Sequence, residues 1–243
     1  MSNSAHHGAP YSTFPAIFAQ FSSEDLVLGG GVAIFHLASE RVVICSAEDH
    51  HGRKYYFLPK GRRDAGEESG RGAEREGYEE SGYRNRLLPL PTKHQQPQAH
   101  PRVSETPLTA EAVWMQMMPL CYASKQYVLY WYIAETLPLE LEKELETKAG
   151  EAYKPPPPFP NNLTLRERVQ MEPTGYEPAH HENTGVDEEE RTYKSHLVPV
   201  HEAVQKLGKS GVMADVIMRG WKGIQDRYAM EEGINSHSPE QTS

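Results

Sequence analysis

The chain is poor in cysteine, in basic charge and in long apolar runs. Only Cys45 and Cys121 occur. A secreted scaffold stapled by disulfides needs more, so two reduced, buried thiols in a reducing compartment are expected. Lys and Arg number 25 against 34 Asp and Glu, for a net charge of −9. That balance argues against broad nucleic-acid binding, which needs a basic face, but leaves room for a local phosphate pocket. No apolar stretch approaches the roughly twenty residues that span a bilayer. Residues 1–22 also lack the charged start and apolar run of a secretory signal. A cytoplasmic or nuclear protein with no membrane attachment is expected.

At 37% hydrophobic and 24% charged residues, the composition suits an ordered core flanked by flexible segments. Residues 1–22 read as an arm. Leu26–Leu37 and Arg41–Ala47 read as strands joined by a turn at Ala38–Glu40, and Lys54–Pro59 as a third strand. A helix is expected over Glu68–Ser81, ended by Gly82. Residues 88–109 read as a long surface loop, and Ala112–Ala123 and Gln126–Thr136 as two further strands. Residues 138–192, with the charge-dense LELEKELETK and the proline run Pro155–Pro160, read as an insertion holding a short helix and disorder. Tyr193–Val200 returns as a strand, two helices follow to about residue 230, and 231–243 reads as a tail.

The chemistry concentrates in LPKGRRDAGEESGRGAEREGYEESGY, Leu58–Tyr83. Helical spacing puts Glu76, Glu79 and Glu80 on one face. Three such carboxylates repel unless a hard divalent cation is shared between them, and such ions clamp phosphate oxygens and activate water. Arg75 can pair with Glu67 near the helix start, where a carboxylate also suits the helix dipole. Lys60, Arg62 and Arg63, just ahead of the helix, can hold the anionic end of a substrate.

This segment resembles the Nudix box, G-x5-E-x7-R-E-U-x-E-E-x-G-U with U a bulky apolar residue. Gly61, Glu67, Arg75, Glu76, Glu79, Glu80 and Gly82 fill all the fixed positions. Chance agreement is on the order of one in a hundred million per starting position. The resemblance covers about Leu26–Leu137 and Tyr193–Tyr228. It implies an α/β (α+β) Nudix fold, a mixed β-sheet sandwiched between α-helices, with the long insertion before the last strand and helix. It implies Mg²⁺ or Mn²⁺ held by Glu76, Glu79 and Glu80, with the Gly61 carbonyl as a further metal contact. It also implies hydrolysis of a diphosphate linkage, the attacking water losing its proton to one of these glutamates or to an acid from a later loop. Glu189 and Glu190, in the tract Asp187–Arg191, are candidates for that acid beside the blander reading of a solvated loop.

Gly77 and Tyr83 stand where the family places aliphatic residues. Gly77 in particular is expected to lose apolar burial and to loosen the helix. LPKGR before the box resembles the phosphate-binding loop of hydrolases of dinucleoside polyphosphates and diphosphoinositol polyphosphates. The cluster Arg53, Lys54, Lys60, Arg62 and Arg63 favours such densely charged substrates over a nucleotide sugar or a damaged nucleoside triphosphate. The alternative is a non-catalytic Nudix-fold sensor that binds a phosphorylated metabolite or a protein partner. Pro155–Pro160 reads as a stiff spacer or as a docking segment for a protein partner. The pairs His50-His51 and His180-His181 lack the spacing of a metal site and read as loop residues. Of Trp114, Tyr130, Trp131 and Tyr132, strand alternation sends about half to the core.

Overall fold

The computed structural model describes residues 18–97, 107–120, 125–145 and 153–235. The expectations for residues 1–17, for Cys121 and for residues 236–243 lie outside them. In chain order the elements are β1 (Leu26–His36), β2 (Arg41–Glu48), β3 (Lys54–Phe57), β4 (Lys60–Arg62), α1 (Ser69–Ser81), β5 (Asn85–Leu87), β6 (Trp114–Pro119) and β7 (Gln126–Thr136). Then come α2 (Leu139–Glu144), α3 (Leu165–Gln170), β8 (Lys194–Pro199), α4 (Val200–Leu207) and α5 (Val212–Asn235).

All the strands join one mixed sheet with the path β3-β2-β1-β7-β5; β4 pairs with β1, β6 with β7 and β8 with β2. β1 and β7 run parallel from Leu26↔Gln126 to Phe35↔Glu135. Both are flanked by neighbours and covered on two faces, which is why their sequences are continuous apolar runs rather than alternating ones. β1 meets β2 only at Phe35↔Val42 and His36↔Arg41. Its other half, Gly29–Gly31, pairs with β4 instead. This split brings Lys60, Gly61 and Arg62 against the centre of the sheet.

Alternation gives the sheet two covered faces. On one, Ala33, Phe35, Val42, Ile44, Leu129, Trp131 and Ile133 pack with Val216, Ile217 and Ile224 of α5 and Ala203 of α4. On the other, Val32, Ile34, Val43 and Ala134 pack against Ala73 of α1. The sheet is thus sandwiched between helices. Among the described residues no helix is long and apolar enough to cross a membrane.

Gly77 has a different role from the one its sequence position suggests. A Cβ there would come within 2.6 Å of Asn85 Nδ2 and 2.8 Å of Val32 Cγ1. Asn85 is fully buried and donates to the Glu74 carbonyl at 2.9 Å. The missing side chain therefore lets α1 lie close on β1 and on the start of β5. Restoring the aliphatic residue of the box, Gly77→Leu, is expected to cost about 1–3 kcal/mol by overpacking, read from urea unfolding. A more stable variant would contradict this packing.

The insertion also departs from its expectation. Its residues 153–192 fold back onto the molecule: Phe159 and Leu165 enter the core, and Thr164 caps α3 in a reciprocal box with Glu167. Pro156 is buried as well, its carbonyl accepting from Arg71 at 3.1 Å. Some of its charged side chains are buried and paired internally, while others such as Arg166 face solvent. Arg168 lies 2.7 Å from Glu135 and 2.8 Å from Glu172, which also meets His36 at 3.0 Å. Nor is the stretch after β5 a surface loop throughout: Leu88 and Leu90 are core residues, and Leu90 bridges to Thr109. Helix α5 continues to Asn235, past the expected boundary at 230.

Candidate active site

Helix α1 and strand β4 assemble the site. α1 ends at Gly82, whose φ of 71° suits glycine in the left-handed region and whose N–H donates to the Tyr78 carbonyl at 2.8 Å. The remaining carbonyls of the last turn are all engaged. Thr184 Oγ1 donates to Glu79 O at 2.8 Å, Cys45 Sγ to Glu80 O at 3.6 Å and Ser195 Oγ to Ser81 O at 2.6 Å. The His181 amide donates to Gly82 O at 2.9 Å. Such carbonyls have no partner within the helix. Here they tie the carboxylate-bearing end of α1 to β2, to β8 and to the tail of the insertion.

Carboxylate oxygens of Glu76, Glu80 and Glu190 lie within 4.8 Å of one another. Glu76 and Glu80 are buried, and Glu190 sits on a 3-10 turn, Glu190–Thr192, just before β8. Gly61 borders them: a side chain there would run into the Glu76 carboxylate. Its carbonyl accepts from Tyr127 Oη at 3.0 Å, a neighbour that no motif pointed to. The Lys60 amide donates to Glu80 Oε2 at 2.8 Å.

Arg75 is the hub beside this cluster. Its guanidinium reaches Glu67 at 2.9 Å, Glu76 at 2.9 Å, Glu79 at 2.7 Å and the Arg62 carbonyl at 2.9 Å. These charges hold the guanidinium more firmly protonated than usual, although its partial burial opposes that. Glu67 also accepts from the Asp64 amide at 2.9 Å. Burial works to raise the Glu67 pKa, but the bonds and charge of Arg75 outweigh it and hold the carboxyl below its ordinary value. Arg63 donates to Glu67 O at 2.5 Å, and Arg62 projects into solvent. Lys54 and Arg53 do not join Lys60, Arg62 and Arg63. Arg53 pairs with Asp49 at 2.8 Å, and Lys54 lies over the Tyr56 ring.

The electrostatics single out the cluster. Burial pushes Glu80 up to about 8, with Lys60 opposing and Glu76 and Glu190 adding to the rise. Burial likewise pushes Glu76 up to about 7 against the pull of Arg75, and raises Glu79. Two buried carboxylates and a third beside them form an all-oxygen donor set with more negative charge than its neighbours offset. The chemistry of these donors fits a hard divalent cation such as Mg²⁺ or Mn²⁺.

A pH dependence follows. Cation binding must displace the protons that burial keeps on Glu76 and Glu80, so affinity falls as pH drops through about 8 and then about 7. Calorimetric titration with Mn²⁺ between about pH 6 and 8.5 is expected to show at least a tenfold gain in affinity. A flat profile would contradict the placement of the ion between these residues.

A cleft of about 370 Å³ opens beside the cluster, lined by Glu79, Glu80 and Glu190 on one side and by His180, His181 and Asn183 on the other. The tail of the insertion thus forms a wall of the site. His181 is fixed there by Glu142 at 2.6 Å and takes no part in a metal cluster among the described residues. Glu190 was only weakly marked in the sequence; its position directly ahead of β8 was the available signal.

No family model matches the chain, and no curated protein matches it in sequence. Solved structures with a similar trace include a NUDIX hydrolase from Nitrosomonas europaea, at 10% identity and a TM-score of 0.43, covering 81% of this chain and 89% of that one. An Ap4A hydrolase of C. elegans in a binary complex is 13% identical with a TM-score of 0.38, over 82% of this chain and 98% of that one. A MutT protein from Methanosarcina mazei Go1 is 10% identical with a TM-score of 0.37, over 81% and 94%. At such identities and scores these are similarities alone. The chain's resemblance to the Nudix family rests on its own residues, the box from Gly61 to Tyr83 folded as a strand, loop and helix whose Glu79 and Glu80 line one cleft.

Proposed function

We propose that the protein is a metal-dependent Nudix hydrolase that cleaves a diphosphate linkage in a phosphorylated small molecule. The observation that carries this reading is the convergence of Glu76, Glu80 and Glu190 within 4.8 Å on a box helix braced by Arg75. Glu76, Glu80 and Glu190 would hold a divalent cation. When bound, such an ion stabilises charge on phosphate oxygens and acidifies an attacking water. Glu79 stands beside this set. Its Oε2 is engaged by Arg75 at 2.7 Å, and its other oxygen is left to take the proton of the water. Arg75 keeps Glu76 and Glu79 aligned and offsets part of the burial that raises their pKa values, and Glu67 keeps Arg75 in place. Lys60, Arg62 and Arg63 orient the anionic substrate at the mouth of the loop.

For the substrate, the loop LPKGR, whose Lys60, Arg62 and Arg63 stay beside the carboxylates after Arg53 and Lys54 drop out of the cluster, favours diphosphoinositol polyphosphates and dinucleoside polyphosphates, with nucleotide sugars and nucleoside triphosphates next. Against the sensor alternative, no box glutamate is missing, and Gly77 serves close packing against Asn85. The test is turnover of these four classes with Mg²⁺ or Mn²⁺, beside a Glu79→Gln/Glu80→Gln variant. Metal-dependent release of phosphate or nucleotide that disappears in the variant is expected. No turnover by a folded, metal-loaded protein would favour the sensor.

A further inference from the structure

In an acidic chain, three lysines gather on the sheet face opposite the carboxylates. The register sets Ser46 beside both Tyr56 and Lys194, and Glu48 beside Lys54. Directly paired residues share a face, as do residues two apart. Ser46, Lys54, Tyr56, Lys194 and His196 therefore point together, while Cys45 between them points to α1 and reaches Glu80 O. Helix α4 adds Lys206, whose Nζ lies 3.5 Å from Tyr56 Oη and 4.8 Å from its ring centre. Lys54 Nζ lies 5.2 Å from the same ring centre. A cleft of about 380 Å³ is lined by Lys54 and Lys194 together with Ser46, Ala47, Glu48 and Thr192.

The carboxylates nearby are few. Lys206 meets Glu202 at 3.5 Å, and Glu48 lines the cleft. Among the described residues no ion pair is formed by Lys54 or Lys194. The cationic field is felt by the ring that faces it: burial lowers the His196 pKa first, then Lys54, Lys206 and Lys194 lower it further, with Glu202 opposing. Ser46 Oγ and His196 Nε2 share a bond of 2.9 Å, and Tyr56 stacks edge-on against the imidazole. Three ammonium groups beside only two carboxylates leave an excess of positive charge, and a multiply charged anion relieves it.

We propose that the cleft lined by Lys54 and Lys194, with Lys206 sharing the Tyr56 ring with Lys54, binds the phosphate groups of a small polyphosphorylated anion at a site separate from the carboxylate cluster. The site does not depend on the catalytic reading and can be tested without metal. The probe is inorganic pyrophosphate, titrated by calorimetry into the full chain in EDTA at low ionic strength, where surface charge is least screened. The His196 ring is followed by NMR in parallel.

Saturable binding is expected, with the His196 pKa moving upward as the anion offsets the fields of Lys54, Lys194 and Lys206. Lys54→Gln/Lys194→Gln should weaken binding at least about tenfold, and Arg62→Gln/Arg63→Gln should change it by less than about twofold. Both lysines are exposed, so the variant should keep its fold, which its melting curve checks. Absence of saturable binding would overturn the proposal. So would binding that survives the lysine substitutions, or that is lost with Arg62 and Arg63.

Discussion

Replacing Glu80 by glutamine is expected to abolish turnover and, in the same protein, to raise the stability of the metal-free fold. The two effects have one cause. Glu80 is buried near Glu76 and Glu190, and burial pushes its pKa up to about 8. A carboxyl whose pKa is raised on folding contributes stability at low pH, and that contribution is lost as pH rises through the raised value. Above about pH 8 the metal-free protein therefore carries a buried charge that it would rather neutralise. Glutamine removes the charge and keeps an oxygen to accept the Lys60 amide. Melting in EDTA should show the variant ahead of wild type by more than about 1 kcal/mol near pH 8.5, and the gap closing towards pH 5. With metal present the order should reverse, because only wild type gains from binding the ion. Turnover should fall by about a hundredfold or more, the scale seen when a group that stabilises transition-state charge is deleted. A variant less stable at alkaline pH in EDTA would show that Glu80 is not the strained member of the cluster.

The largest stability loss is expected away from the site, at Arg168. This side chain is buried in the insertion, 2.7 Å from Glu135 and 2.8 Å from Glu172, and it donates to the Thr136 carbonyl at 2.8 Å. Glu135 is fully buried on β7, and Arg86 also reaches it at 2.7 Å. Removing Arg168 leaves two buried carboxylates short of a partner, which costs about 3–5 kcal/mol. Arg166→Ala is the control. Its partner Glu232, at 2.6 Å, is solvent-exposed like Arg166 itself, and such pairs contribute about 0–1 kcal/mol. Urea midpoints for Arg168→Leu and Arg166→Ala should differ accordingly. Equal losses would mean that the insertion is not fastened through this network.

The difference between these two arginines also shows where sequence reasoning stops. Arg166 and Arg168 are two residues apart in a charged segment, and nothing local distinguishes the one that meets Glu135 on β7 from the one that faces water. The same limit hid the folding of the insertion, whose partners lie on β1, β5 and β7. Strands β4 and β5 were missed for another reason: each is three residues long and polar, too short to show a period. The box was legible because its spacing is fixed by one helix and one loop, so neighbours in the chain are neighbours in space. Glu190 enters the site across the fold, and only its place before β8 hinted at it. Gly77 read as a loss of packing because the sequence does not show Asn85 lying beneath it. Lys54 seemed to belong with Lys60 until strand alternation placed it on the other face.

The most direct test of the proposed hydrolytic activity is turnover of the pooled diphosphate substrates in ¹⁸O-labelled water, with products weighed by mass spectrometry. Incorporation of one label into a single phosphate-bearing product, with Mg²⁺ or Mn²⁺ and not in EDTA, and its absence in Glu80→Gln, is the expected result. Product formed without label, or label that persists in EDTA or in Glu80→Gln, would contradict water attack at this carboxylate site.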